Sequence, residues 1–180
     1  GPISCERCHG PGKAHVESMR NRQDNSKLSD SYQQVKLASL IPAQRDAVCG
    51  QCHLQGTERI LRPNRTDFDF RPGHYLDDVW VIFLKDPNAQ MQNGIQAVSQ
   101  VEQMLESKCY QESDGRLGCT SCHDPHVIPV RESRDRFYQQ RCLNCHTRPS
   151  SECTAPQIEQ QQKSCISCHM PKLGAADVPH

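Results

Sequence analysis

The sequence predicts a mostly irregular chain with short α-helices and little or no β-structure. The chain is polar, with 35% hydrophobic and 5% aromatic residues among 180, and such a composition buries only a thin core. Twelve prolines interrupt it at short intervals, and proline ends helices and is excluded from central strands. Twelve cysteines are far more than an ordinary domain contains. They indicate that a group bonded to them supplies the missing apolar mass.

Short runs with helical character predict where the helices lie. Gln44 to Val48, Arg134 to Arg141 and Ala155 to Ser164 each lead into a cysteine-containing motif. The longest candidate is Gln92 to Tyr110, because its apolar residues recur at helical spacing on one face. These residues are Ile95, Val98, Val101, Met104 and Leu105. Only Val79 to Leu84 has β character, with a short buried helix as the alternative.

The charge balance and hydropathy exclude two classes of partner. The chain has 21 basic and 21 acidic residues and a formal net charge of +0, so it lacks the basic footprint that binds nucleic acid. The longest apolar run, Val79 to Leu84, is too short to span a bilayer. No segment has the composition of a secretory signal and the first motif begins at Cys5, so a mature product or an excised fragment is expected.

The pattern Cys-x-x-Cys-His occurs five times, whereas a random arrangement of the same residues gives about 0.04 copies. The paired cysteines are Cys5 and Cys8, Cys49 and Cys52, Cys119 and Cys122, Cys142 and Cys145, and Cys165 and Cys168. The histidines that follow them are His9, His53, His123, His146 and His169. Two thiols on one turn can form thioether bonds with the two vinyl groups of a haem, and the next histidine then binds the iron. We therefore expect five covalent c-type haems, held by these cysteines and by these histidines as proximal ligands.

Other uses of paired cysteines fit the pattern less well. Structural zinc sites need four ligands and rarely repeat a histidine after the second cysteine. A thioredoxin-like redox motif occurs once, on a βαβ unit that this sequence lacks. Iron–sulfur clusters use other spacings and have no role for the histidine. A disulfide scaffold does not place a histidine after every pair.

The spacing of the motifs predicts one domain with two parts. We expect a single domain over residues 1–180, in which 1–110 is a dihaem part with long insertions. Residues 111–180 form a compact trihaem block, because its motifs recur every 23 residues, from Cys119 to Cys142 to Cys165. The expected fold is that of a multihaem cytochrome c organised around five stacked haems, since 180 residues leave few per haem.

A count of histidines limits how the five irons are ligated. Two histidines for each of five haems require ten, and the chain has 9. At least one haem therefore has a methionine, another group, a ligand from outside this chain, or an open position. Four histidines outside the motifs are candidates for the distal position: His15, His74, His126 and His180.

Chain reach restricts which haem each distal candidate serves. His126 follows His123 by three residues, a reach of about 10 Å, which is too short to wrap a haem. We expect His126 to serve a different haem, and the same argument applies more weakly to His15. A surface position is the alternative for all four distal candidates. It has the most weight for His74, which lies in the turn Arg-Pro-Gly-His.

Methionine is the other protein ligand to consider for the remaining haem. Met104 is the best thioether candidate, although its place in an apolar stripe favours core packing. Met19 and Met91 are weaker candidates. We place the haem without a second histidine at the motif Cys49 to His53, which lies in the stretch poorest in histidine.

Two cysteines, Cys109 and Cys153, fall outside the motifs. An even leftover pair in an oxidising compartment predicts a disulfide. Two buried free thiols, or Cys109 as a thiolate ligand, are the alternatives.

Three local strings resemble motifs of the cytochrome c-554-like multihaem family. They are Cys5-Glu-Arg-Cys-His-Gly-Pro-Gly followed by His15, Cys119-Thr-Ser-Cys-His-Asp-Pro-His126, and Cys165-Ile-Ser-Cys-His-Met-Pro with Pro-His180 downstream. The resemblance covers nearly the whole chain, which looks like the haem-bearing region of large bacterial multihaem proteins that continue into tetratricopeptide repeats. It implies a periplasmic or exported location, closely stacked haems, and distal roles for His15, His126 and His180.

Electron transfer is the function that these expectations favour. Closely packed haems with both axial positions filled conduct electrons and offer no iron position to a substrate. An electron carrier is therefore expected, with no catalytic residue. Its partners are redox proteins with basic patches, because ionised haem propionates make the loaded protein acidic. The alternatives are an enzyme acting on a small nitrogen or sulfur compound at one five-coordinate haem, and self-association into an extracellular cytochrome filament.

Overall fold

The computed structural model describes residues 3–20, 34–84, 99–146 and 165–170. Eight α-helices and two β-strands lie in these ranges. The helices are α1 (Cys5–His9), α2 (Lys13–Arg20), α3 (Pro42–His53), α4 (Gln100–Glu106), α5 (Lys108–Gln111), α6 (Cys119–Cys122), α7 (Arg134–Leu143) and α8 (Cys165–His169). The strands are β1 (Glu58–Leu61) and β2 (Trp80–Phe83). Short 3-10 turns cover Leu37–Ser39 and Leu76–Asp78.

The chain divides into two compact units. The first contains residues 1–92 and 98–116, and the second contains residues 93–97 and 117–180. The first unit therefore carries two of the Cys-x-x-Cys-His motifs and the second carries three. This division near residue 116 lies close to the boundary expected between the two parts of a single domain. The multihaem organisation of the fold stays a prediction.

The strands of the first unit form a small antiparallel sheet. β2 coincides with the segment of predicted β character, Val79 to Leu84, and its partner β1 was not predicted. Arg59 lies opposite Ile82 in the register. The chain enters β1 through Gly56, whose φ is +64° and where a Cβ would collide with the carbonyl oxygen of Phe83. Only glycine fits both the left-handed conformation and the close approach.

Two of the predicted helices lie within longer ones. The run Gln44 to Val48 belongs to α3, which begins with Pro42 at its first position, where proline lacks only a donor that the helix does not need. The run Arg134 to Arg141 belongs to α7. The predicted run Ala155 to Ser164 lies outside the described residues.

The single helix predicted over Gln92 to Tyr110 is wrong in its described part. The chain leaves the helical conformation at Ser107, where ψ is 141°, and this residue ends α4 and caps α5. The Ser107 hydroxyl accepts a hydrogen bond from the Tyr110 amide at 3.2 Å. Serine competes for backbone partners in this way and favours caps over helix interiors. Residues 92–98, with Ile95 and Val98, lie outside the described residues.

A protein core exists in the first unit. Ala47, Val48, Phe70, Val79 and Trp80 are buried together. The Phe70 and Trp80 rings lie 6.1 Å apart between centroids, and the Trp80 indole donates a hydrogen bond to Asp67 Oδ1 at 3.0 Å. Among its described residues, the second unit buries no apolar side chain. There α7 contacts both α6 and α8, which are the helices of the third and fifth motifs.

Candidate haem-attachment sites

Every Cys-x-x-Cys-His motif lies on a helical turn. α1 and α8 span the first and fifth motifs completely, and α3 ends with the second. α6 covers the two cysteines of the third motif, and α7 ends inside the fourth. Residues three apart on a helical turn lie on the same side. The two thiols of each motif are therefore placed to bond to one planar group.

Backbone hydrogen bonds continue the turn as far as the histidine where the helix ends early. The amide of His123 donates to the carbonyl of Cys119 at 2.9 Å, and the amide of His146 donates to that of Cys142 at 2.9 Å. At the first motif, the bond runs one residue later, from Gly10 to Glu6 at 2.9 Å. This common geometry fixes each histidine relative to its two cysteines.

The exposure of the motif cysteines is unusual for this residue type. Free cysteine is among the most buried residues in globular proteins. All ten motif cysteines are instead exposed or half-buried, and Cys5, Cys52, Cys145 and Cys168 are exposed. The thiols are therefore accessible to a group that attaches from outside the protein core.

The ring of His9 is oriented by the backbone. Its Nδ1 lies 3.0 Å from the carbonyl oxygen of Val35. A carbonyl only accepts hydrogen bonds, so Nδ1 carries the proton and the lone pair is on Nε2. Histidines that bind metals through one ring nitrogen typically donate from the other in this way, which fixes the tautomer. The first motif thus has the tautomer that iron ligation through Nε2 requires.

The first two motifs are held together by the packing of α1 on α3. Gln51, inside the second motif, donates from Nε2 to the carbonyl of Arg7 at 3.2 Å and to that of Val48 at 2.7 Å. Burial raises the pKa of the Cys8 thiol, and the nearby Cys52 raises it further. Gln51 Oε1 is buried and accepts no hydrogen bond from the described residues.

The second motif also contacts the 3-10 turn at Leu76–Asp78. A Cβ at Gly50 would lie 2.8 Å from Leu76 Cδ1. Position 50 therefore accommodates glycine and no larger residue, since Leu76 occupies the space of a side chain. This contact joins the second motif to the core of the first unit, against which Leu76 packs.

In the second unit an aromatic contact links the third motif to the helix of the fourth. The Tyr138 ring lies edge-on to the His123 ring, with centroids 5.7 Å apart and planes at 71°. Tyr138 is four residues before Cys142, so both lie on one face of α7. Phe137 stacks edge-on against Tyr138 at 5.3 Å, and the Arg141 guanidinium lies 4.9 Å from the Phe137 ring centre.

The distal candidates are placed differently from one another. His15 is half-buried on α2, and Met104 is half-buried on α4. The side chain of His74 is 58% exposed, with Nδ1 3.9 Å from Asp78, and that of His126 is 74% exposed, with Nδ1 3.6 Å from Asp124. Both distances are longer than a hydrogen bond. The axial roles of these residues stay predictions.

Several predicted residues lie where the structure does not test them. His180, Met91 and Cys153 are outside the described residues. Cys109 is exposed on α5. The disulfide between Cys109 and Cys153 stays a prediction, because Cys153 is outside the described residues. Met19 is 41% exposed on α2.

Sequence reasoning missed the residues that support the motifs from a distance. No sequence pattern marks these residues, because each of their contacts joins separate segments. They are the Val35 carbonyl, the Leu76 side chain and the Arg59 guanidinium, which reaches the end of α3. The single tryptophan, Trp80, was the best available sign of a core.

Comparison of the chain with family models, with curated proteins and with solved structures finds no match. Three or more His, Cys, Asp or Glu side chains do not come together as a metal cluster within the described ranges. No helix in the described part of the chain is both long and apolar enough to cross a membrane.

Proposed function

We propose that this chain is a multihaem c-type cytochrome that carries five covalently attached haems and transfers electrons. The observation that carries the proposal is the fivefold occurrence of Cys-x-x-Cys-His, each copy on a helical turn with accessible thiols. One such turn has several uses in proteins. Five in one short chain, each followed by a histidine, match the chemistry of thioether attachment and axial ligation.

The residues present fit the proposed group. The paired thiols share one side of each turn, and the His9 tautomer directs its lone pair to Nε2. When bound, haem supplies a reversible one-electron couple between ferric and ferrous iron. The protein residues position that group, supply its axial ligands and set its surroundings, which are the means by which a protein adjusts the reduction potential.

Exposed apolar side chains near the motifs support the same proposal. Ile128 is 93% exposed, Val130 is 64% exposed and Met170 is 65% exposed. Each is close in sequence to a motif of the second unit, which buries no apolar side chain among its described residues. Covering side chains that are this exposed with a large apolar group lowers the free energy, because it removes apolar surface from water. A haem attached to a neighbouring motif is such a group.

Electron transfer follows from the ratio of haem to protein. Five haems in 180 residues leave about 36 residues for each, so the proposed groups lie close to one another. The proposed location is periplasmic or extracellular, where cysteines meet exported haem and a disulfide persists. The proposed partners are redox proteins.

The mass of the denatured protein tests the proposal. The chain is produced in a host with c-type maturation machinery and unfolded before mass spectrometry. We expect the 20.4 kDa chain plus the mass of five haems, and the variant with Cys142→Ala and Cys145→Ala should carry one haem fewer. Haem that dissociates on denaturation, or zinc in its place, would contradict the proposal.

The histidine count favours a second candidate, catalysis at one haem. Nine histidines cannot supply ten axial positions, so an open iron that binds a small nitrogen or sulfur compound is the alternative. We expect such a site, if it exists, at Cys49 to His53. A high-spin ferric signal and binding of cyanide or nitrite by the monomer would favour this candidate. A spectrum of low-spin haems with no ligand binding would exclude it.

A further inference from the structure

The side chain of Arg59 closes the end of α3. Its Nη1 donates to the backbone carbonyl of Gln51 at 2.9 Å and to that of Leu54 at 3.3 Å. The last carbonyls of a helix lack intrahelical partners and carry partial negative charge. A guanidinium satisfies both needs, because it is a cation with several donors in one plane. Cys52 and His53 lie between the two carbonyls that Arg59 binds.

Trp80 fixes the position of this cation. The Arg59 guanidinium lies 3.8 Å from the centre of the Trp80 ring. Trp80 is 1% exposed and is itself anchored to Asp67 by the indole hydrogen bond of 3.0 Å. The face of an indole ring attracts a cation electrostatically, so this contact holds the guanidinium in place. The half-buried guanidinium is therefore held against the edge of the core of the first unit.

Three groups near Arg59 define its electrostatic surroundings. Burial lowers the pKa of Arg59. The nearby Asp67 and Cys52 raise the pKa of this guanidinium, and Arg7 lowers it. Arginine remains charged in proteins despite such effects. Cys52 is the second attachment thiol of the second motif, so a permanent positive charge lies within electrostatic reach of that attachment point.

We propose that Arg59 is a positioning residue for the haem of the second motif and raises its midpoint potential. This inference rests on the proposed function. Arg59 holds the final turn of α3, on which Cys52 and His53 lie, and keeps a cation beside it. Ferrous iron carries one positive charge less than ferric iron, so a nearby cation disfavours the ferric form.

A redox titration of haem-loaded full-length variants tests this role. Arg59→Met removes the charge and the donors but keeps an unbranched stem, and Arg59→Lys keeps the charge with fewer donors. The exposed Arg65 gives a matched control, Arg65→Met. The double variant with Cys49→Ala and Cys52→Ala lacks the second attachment, and the midpoint that it loses identifies the second haem.

We expect Arg59→Met to lower that one midpoint, with about a tenfold change in the ferrous-to-ferric ratio, which corresponds to about 59 mV for one electron. Arg59→Lys should shift it less, and Arg65→Met should leave all midpoints unchanged. Mass spectrometry must first show five haems in each variant, which separates failure of this inference from failure of the proposed function.

Five haems in Arg59→Met with all midpoints as in the unaltered protein would overturn the inference. Equal shifts in Arg59→Met and Arg59→Lys would also overturn it, because charge would then not be the cause. If Arg59→Met loses its second haem, Arg59→Gln, which removes the charge but keeps a donor, takes its place. A lowered second midpoint in Arg59→Gln supports the inference, and an unchanged one refutes it.

Discussion

The two units of this chain differ in how many apolar side chains they bury. The first unit encloses Phe70, Val79 and Trp80 beside an antiparallel sheet and attaches two motifs to this core. The second unit has three motifs on short helices and no buried apolar side chain among its described residues. The proposed function accounts for this difference, because three attached haems would supply apolar volume in the second unit.

Withholding haem should give the largest difference between the two units. In a chain produced without c-type maturation, we expect no cooperative unfolding, since too little apolar area is buried to offset chain entropy. Local protection should remain near Val48 and Val79, while the helices α6, α7 and α8 lose theirs. Amide hydrogen exchange measures this residue by residue. Equal protection in the two units would contradict the proposed dependence of the second unit on haem.

The same substitution in each unit gives the next largest effect. Phe70 is 2% exposed, and Phe70→Ala should lower the free energy of unfolding by about 3–5 kcal/mol because it leaves a cavity. Phe137 is half-buried on α7, and Phe137→Ala should cost about 1 kcal/mol. Urea unfolding of the haem-loaded variants, followed by far-UV circular dichroism, measures both. A larger cost for Phe137 would show that the second unit has the tighter protein core.

Two glycines of the first unit differ in what a side chain would contact. Gly56 and Gly73 both have positive φ, at +64° and +92°, so alanine strains the backbone at either. Only Gly56 also faces a backbone carbonyl, that of Phe83, while Gly73 has the Leu40 side chain at 3.8 Å. We expect Gly73→Ala to cost about 1 kcal/mol and Gly56→Ala to cost about 2–3 kcal/mol. Similar melting temperatures for the two variants would show that the Phe83 contact is not a constraint.

The smallest effect should come from the aromatic contact in the second unit. Tyr138→Phe keeps the edge-on ring against His123 and should change stability by less than about 0.5 kcal/mol. Tyr138→Ala removes the ring and should alter the low-spin signal of a single haem, because His123 loses a neighbour that orients it. Electron paramagnetic resonance of the ferric protein distinguishes these results. Identical spectra for the alanine and phenylalanine variants would mean that Tyr138 does not orient His123.

Local sequence patterns predicted the local parts of this structure. The motif spacing located five helical turns, and the polar run before Cys142 located α7, because both depend on residues within a few positions of one another. The break at Ser107 was missed because the apolar stripe around it has helical spacing and hides the capping preference of serine. β1 was missed because Glu58 and Arg59 have no β-strand character alone; pairing with β2 places them there.

Contacts between distant segments could not be predicted in the same way. Val35 is 26 residues from His9, and its carbonyl oxygen is a group that every residue carries. Arg59 could have been an exposed charge, and only the turn at Gly56 and the position of Trp80 place it on the end of α3. These supporting residues depend on the tertiary fold and not on a motif.

The burial of the only tryptophan has an optical consequence. Trp80 is the sole indole of the chain and lies in the core of the first unit. Haem absorbs at the wavelengths where indole emits, so energy transfer should leave the folded, loaded protein nearly dark in the ultraviolet. Emission should appear when the first unit opens and separates Trp80 from the haems proposed for its two motifs. With haem attached as proposed, Trp80 emission therefore reports the opening of the unit that contains it.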